Sequence, residues 1–186
     1  MRVFFLCCLL LSFCGGRLHA QHVGINEVRE LFYSCTLDSR HTDSLLVLLG
    51  EVSEPSAIYS AYMGATQAIH TKNIWNPFAK IAHVKKALAA INLAVESDPD
   101  NIEIRFLRFA VEFHVPAWLM ADQHGEADAA FLYAKLRSCD LSHFGIEILR
   151  YIRQFYVDNT IYTQEETAEV TGKLDEYIVA LERGEG

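Results

Sequence analysis

Proline, cysteine and strand-like alternation are all scarce in this chain, and each scarcity excludes something. The four prolines, Pro55, Pro77, Pro99 and Pro116, leave long stretches in which a helix meets no obligatory break. Extended runs alternating apolar with polar residues are nearly absent, which argues against a sheet fold. Of the five cysteines, Cys7, Cys8 and Cys14 crowd the start, leaving only Cys35 and Cys139. No CxxC pair occurs, so zinc and redox motifs have no support. Basic residues are outnumbered 16 to 24, giving a formal charge of −8. That balance argues against nucleic acid as a partner, since broad phosphate-backbone binding needs clustered lysine and arginine. GxSxG, the phosphate-cradling GxxxxGK[ST] and HExxH are all missing. No pattern in the chain assigns a reaction, a metal or a cofactor.

What is present begins with an address. Met1-Arg2 gives a basic start, Val3 to Cys14 is apolar without a charge, and Gly15-Gly16 breaks the run before Leu18-His19-Ala20. This is the order of a secretory leader. A helix over that apolar run would span only about 18 Å, short of the ~30 Å hydrocarbon core. We therefore expect residues 1–20 to be a signal peptide cut after Ala20, and an exported protein, periplasmic or extracellular. Phe13 before Cys14 argues against lipid attachment there. Arg2 and Arg17 fall in this segment and no acid does, so cleavage makes the chain more acidic. No later segment approaches ~18 consecutive apolar residues, so no stable membrane insertion is expected after cleavage. Residues 21–186 suffice for one domain with a full core. In an oxidising compartment Cys35 and Cys139 could pair, or remain two small buried residues in helices.

Helical periodicity fills the rest. Ile25, Val28, Leu31, Phe32 and Cys35 recur at three- and four-residue spacing, predicting a helix over 25–37. Thr42 or Asp43 can cap a short helix through Leu45 to Leu49 before Gly50, although that run could also be a strand. Glu54-Pro55 is expected to open the next helix, with Ile58, Tyr62, Ala65 and Ile69 on one face. Trp75-Asn76-Pro77 interrupts it. Phe78, Ile81, Lys85, Leu88, Ile91 and Val95 then form a face that stops at Asp98-Pro99. Ile102 to Val115 carries two apolar stripes, one of Ile102, Phe106, Phe109 and Phe113, the other of Ile104, Leu107 and Val111. A helix apolar on several sides is central. Helices over about 122–138 and 142–157 follow, and Thr163-x-x-Glu166 is a capping box opening the last. The fold class is all-α: seven or eight antiparallel helices with short connections, in a stack or a compact bundle.

Two resemblances attach to particular residues. With Pro99 at the end of a unit, Ala87 and Ala94 occupy small-residue sites and Ile91 the large apolar site between them. This half-unit resembles the second helix and exit turn of a tetratricopeptide repeat, which implies TPR-like helical hairpins. One period downstream, Gly125, Asp128 and Tyr133 do not fit, so a regular array is not expected. Trp75-Asn76-Pro77-Phe78-x-Lys80 and Asp98-Pro99-Asp100-Asn101-x-Glu103-x-Arg105-Phe106-Leu107-Arg108 are similar to stretches of exported bacterial proteins built of such hairpins. That resemblance implies a shared fold and an exported role, and no chemistry.

Three places could carry a site. Asn76-Pro77-Phe78 either presents Trp75 and Phe78 to a partner or caps the next helix with both aromatics tucked beneath the loop. Arg105 and Arg108 leave one side of the central helix and suit a carboxylate or phosphate. Alternatively they pair internally with Glu112, Glu103 or the acids of the Asp98 turn. Asp122, His124, Glu126 and Asp128 crowd one segment, with the spacing of a helix start rather than a metal site. The expectation drawn from this is a non-enzymatic helical scaffold binding a peptide or protein, with Tyr59, Tyr62, Trp75, Arg105 and Arg108 as contacts. The alternative is a small-ligand-binding protein or enzyme whose site only the fold assembles. It predicts a deep cavity joining Arg105 or Arg108 to a buried carboxylate or histidine.

Overall fold

Of the α-helices among the described residues, three open on a side-chain cap, at Asn76, Asn101 and Thr163, each within a stretch that the sequence marks as a helix boundary. The computed structural model describes residues 23–120 and 123–184; the expected signal peptide and its expected cut after Ala20 lie outside the described residues. Among these there are eight α-helices and no strand. They are α1 (Ile25–Leu37), α2 (Thr42–Gly50), α3 (Ala57–His70), α4 (Pro77–Ser97), α5 (Ile102–His114), α6 (Gly125–Leu136), α7 (Ile146–Asp158) and α8 (Gln164–Glu182). None is long and apolar enough to cross a membrane.

The bend from α4 to α5 is built as its residues dictate. Asp98 ends α4, and the Asn101 side chain accepts from the Glu103 and Ile104 amides, both at 3.1 Å. Asn101 also donates to Asp98 Oδ2 at 2.9 Å, tying the two ends of the turn together. At the start of α4, Asn76 accepts from the Phe78 and Ala79 amides while Pro77 occupies the first turn. Thr163 and Glu166 form the reciprocal capping box of α8. Several boundaries differ from expectation: α6 begins at Gly125 and α7 at Ile146, rather than near 122 and 142. Pro55 precedes α3, which starts at Ala57. Leu45 to Leu49 is helical as expected, but Thr42, expected as a cap, is the buried first residue of that helix, its hydroxyl turned back to the Ser39 carbonyl at 2.7 Å.

The two apolar stripes of α5 divide the core. Ile104, Leu107 and Val111 join one cluster with Val28, Phe32, Tyr62, Ala65, Leu88 and Ile91 from α1, α3 and α4. Ile102, Phe106, Phe109 and Ala110 join a second with Leu132, Ile148, Ile152, Phe155 and Leu174 from α6, α7 and α8. α5 is thus the axis shared by both halves. Tyr151 on α7 packs against both clusters, its ring edge-on to Phe32 at 5.7 Å and to Phe106 at 5.2 Å.

α3 and α4 approach so closely that only glycine fits at position 64. A Cβ there would lie 2.6 Å from Ile91 Cγ1 and 2.9 Å from the Ala87 carbonyl oxygen. The small-residue face at Ala87 therefore meets a backbone without a side chain. Gly64→Val is expected to cost about 3 kcal/mol, the upper end of the overpacking range, because the atoms in the way are backbone and a branch carbon. Urea denaturation checks this, and an unchanged midpoint would show that the crossing has slack.

Cys35 is buried, and burial pushes its thiol up to about 11. Cys139 is half-buried, and the two thiols are free rather than paired.

Candidate functional site

The arginine pair that the sequence offered for recognition is already occupied. Asp128, fully buried in the first turn of α6, accepts from Arg105 Nη1 at 2.6 Å. It also accepts from Arg108 Nε and Nη2 at 2.7 and 2.8 Å. The internal reading holds, with a partner other than those expected. Glu103, Glu112 and the Asp98 turn were the nearer acids in sequence, yet only the Pro99 carbonyl of that turn takes a bond from Arg105, at 3.0 Å. Arg105 further stacks on Phe131, its guanidinium carbon 4.3 Å from the ring centre.

The remaining acids of α5 are engaged elsewhere. Glu103 accepts from Arg29 Nε at 2.8 Å and Nη2 at 2.6 Å, and from the Tyr62 hydroxyl. Glu112 accepts from the His124 amide at 2.9 Å and lies 2.8 Å from His124 Nδ1. Each buried ionic group thus ties α5 to another segment: Glu103 to α1 and α3, Arg105 and Arg108 to α6, Glu112 to the residues before α6. His124 and Asp128 of the acidic segment are therefore structural, and no metal-ligating cluster occurs among the described residues.

The expected contacts consequently fail as a common surface. Tyr62 has no exposed area, and burial followed by the Glu103 charge raises its hydroxyl well above the usual range. Tyr59 donates to the Val23 carbonyl at 2.6 Å. Arg108 is buried and Arg105 is spent on Asp128. Only Trp75 stands free, fully exposed, with Phe78 exposed beside it. Asn76 does cap α4, but the two aromatics project outward instead of tucking beneath the loop. A rigid cap fixes the backbone and leaves flanking side chains wherever the chain direction sends them. The face of α4 shifts accordingly: Val84, Ala87, Leu88, Ile91, Ala94 and Val95 are buried, whereas Phe78 and Lys85 are exposed.

Where α4 begins and α5 ends, the two halves do not close on each other. A cleft of about 670 Å³ opens there. Phe32 of α1, Ile69 of α3, Ile81 and Val84 of α4, and Leu107, Ala110 and Val111 of α5 line one part of it. Tyr151 and Phe155 of α7 line another, and Trp118 and Leu119 follow α5. This volume falls within the ~300–1,000 Å³ of small-ligand sites, and so does the composition, apolar with a few polar groups. Those polar groups are Lys72, Lys80, His114 and Asp158, with Thr36, Thr71, Gln154 and Asn159. Neither lysine has a carboxylate within salt-bridge distance among the described residues. Tyr151 makes no side-chain hydrogen bond among them, and burial pushes its hydroxyl up to about 12. Partial burial, then the charge of Lys72, holds His114 below the ordinary 6.5. A smaller cavity of about 380 Å³ adjoins across Trp118, where Asn92 Oδ1 is buried without a partner among the described residues.

The depressed His114 gives a signed expectation. The unfolded chain takes up this proton near pH 6.5, the folded chain only at lower pH, so the group removes stability as pH falls from 6.5 toward its folded value. In Lys72→Gln, the imidazole followed by proton NMR should titrate closer to 6.5; an unchanged midpoint would leave burial as the whole cause.

No known protein family, curated protein or solved structure matches this chain. The cleft must be read from its own chemistry.

Proposed function

We propose that this protein binds a small ligand with an apolar body in the cleft between its two halves, as an exported helical binding protein. One observation carries the reading: apolar side chains of α1, α4, α5 and α7 converge on about 670 Å³ that no residue fills. Leaving such surface uncovered forgoes about 25 cal/mol per Å², which a ligand of matching shape recovers. The chain's leader-like start supports export. The cavity lies apart from Arg105 and Arg108, so the site proposed here is not the one expected around those two residues.

In a Trp75→Phe protein, Trp118 is the sole tryptophan and lines the cleft. Titration with 1-dodecanol should shift its emission to shorter wavelength and saturate. Ile81→Trp, which fills the cleft mouth, should abolish saturation in a competition with a fluorescent alkyl probe while circular dichroism stays helical. Absence of a saturable response in the parent protein would remove the proposal.

A second reading has its own support. Trp118 lines the cleft, Trp75 and Phe78 flank the cleft-lining Pro77 in the chain, and all three are exposed. A peptide partner would cover them together with the cleft. The two readings separate in Trp75→Ala/Phe78→Ala, which should leave dodecanol binding unchanged and weaken only a partner large enough to reach beyond the cleft.

A further inference from the structure

The ligand's polar end can also be read, and this step rests on the binding proposal above. The charge of the whole chain is −8, and most of its buried cations are spent on acids. The cleft departs from both patterns. Lys72, in the turn after α3, and Lys80, in the first turn of α4, line it without an acid in ion-pair range. The one acid of the lining, Asp158, belongs to the far end of α7 and accepts from Gln154 Nε2 at 2.8 Å. The rest of the lining is largely apolar and includes Ile69, Ile81, Val111 and Phe155.

Two lysines without acids in the lining of an apolar cleft fit an amphipathic anion: the head meets the ammonium groups and the chain lies on the hydrocarbon surface. We infer that the cleft takes a free single-chain carboxylate, with Lys72 and Lys80 at the carboxylate and the alkyl chain directed toward Tyr151 and Phe155. Two lysines suit such a ligand better than two arginines would. They act as point charges and do not demand the bidentate alignment of a planar fork.

The test compares three probes of equal chain length on the full folded protein by calorimetry: dodecanoate and dodecyltrimethylammonium below their micelle concentrations, and 1-dodecanol below its solubility limit. Dodecanoate is expected to bind about tenfold more tightly than the alcohol, as a charge-assisted contact in a partly desolvated site gives. The ammonium probe should bind most weakly. In Lys72→Gln/Lys80→Gln the carboxylate advantage should vanish while alcohol binding persists. Equal binding of alcohol and carboxylate by the parent protein would overturn the anion assignment and leave the cleft proposal standing. An advantage that survives in the double variant would overturn the role of these lysines. Failure of all three probes would overturn both proposals. Lys72 is exposed and Lys80 half-buried, neither in an ion pair among the described residues, so their replacement should leave the fold intact, and the retained alcohol binding checks that within the same experiment.

Discussion

Replacing Glu103 by alanine is expected to destabilise the protein by about 3–5 kcal/mol, because it strands a buried cation. Glu103 is 3% exposed and Arg29 8%, so neither reaches water easily. With the carboxylate gone, Arg29 keeps only the Asn26 side chain at 2.9 Å. The Tyr62 hydroxyl, entirely buried, loses its acceptor at the same time, a further cost of about 1–3 kcal/mol in isolation. Removing the whole group should hurt less than removing half of it. Arg29→Met/Glu103→Leu/Tyr62→Phe replaces charge by hydrocarbon of similar volume and is expected to be more stable than Glu103→Ala alone. Urea denaturation of the two variants decides it. A Glu103→Ala loss under about 1 kcal/mol would mean that water reaches Arg29.

Asp128→Ala should be comparably severe, again about 3–5 kcal/mol, since one fully buried carboxylate serves two guanidinium groups. At about 2–4 °C per kcal/mol for a chain of this size, the melting temperature should fall by roughly 6–20 °C. The loss has a location. Asp128 is the link from α5 to α6, so amide exchange should accelerate first along Gly125–Leu136, while α3 and α4 keep their protection. Uniform acceleration across all helices would show that α6 is not an independent unit. Arg105→Ala is expected to be milder than Arg108→Ala. Arg108 is more deeply buried and holds Asp128 with two bonds where Arg105 holds it with one.

The helices were legible because their signals are local. Asn76-Pro77, Asp98-Pro99-Asp100-Asn101 and Thr163-x-x-Glu166 each complete their hydrogen bonds within a few residues, so spacing alone identifies them. The twin stripes of α5 were equally plain, and they are what place that helix between two clusters. The ionic partners were not legible. Glu103 finds Arg29 across 74 positions and Arg108 finds Asp128 across 20, and nothing in the chain prefers those acids to nearer ones. Arg29 passed unremarked because a single charge on an amphipathic face reads as surface. Gly64 was missed for a similar reason: in sequence it looks only like a weak helix former, and its meaning lies in Ile91 and Ala87 opposite.

The cleft was illegible in kind. An apolar stripe looks the same whether its partner is another helix or empty space. Ile81 continues the face of Leu88 and Ile91, yet at its end of α4 that face lines the cleft. One trace was available. Lys80 sits inside that apolar start, next to Trp75 and Phe78, and an apolar surface interleaved with a cation differs from the uniform seam further along.

The most direct test of the ligand site is a map of backbone amide shifts in isotope-labelled protein as dodecanoate is added. The cleft account predicts that the changes concentrate in three places: the start of α4 around Lys80–Val84, the end of α5 with Trp118–Leu119, and Tyr151–Phe155 of α7. Saturable changes centred instead on α6 and α8, or no change at saturating probe, would contradict it.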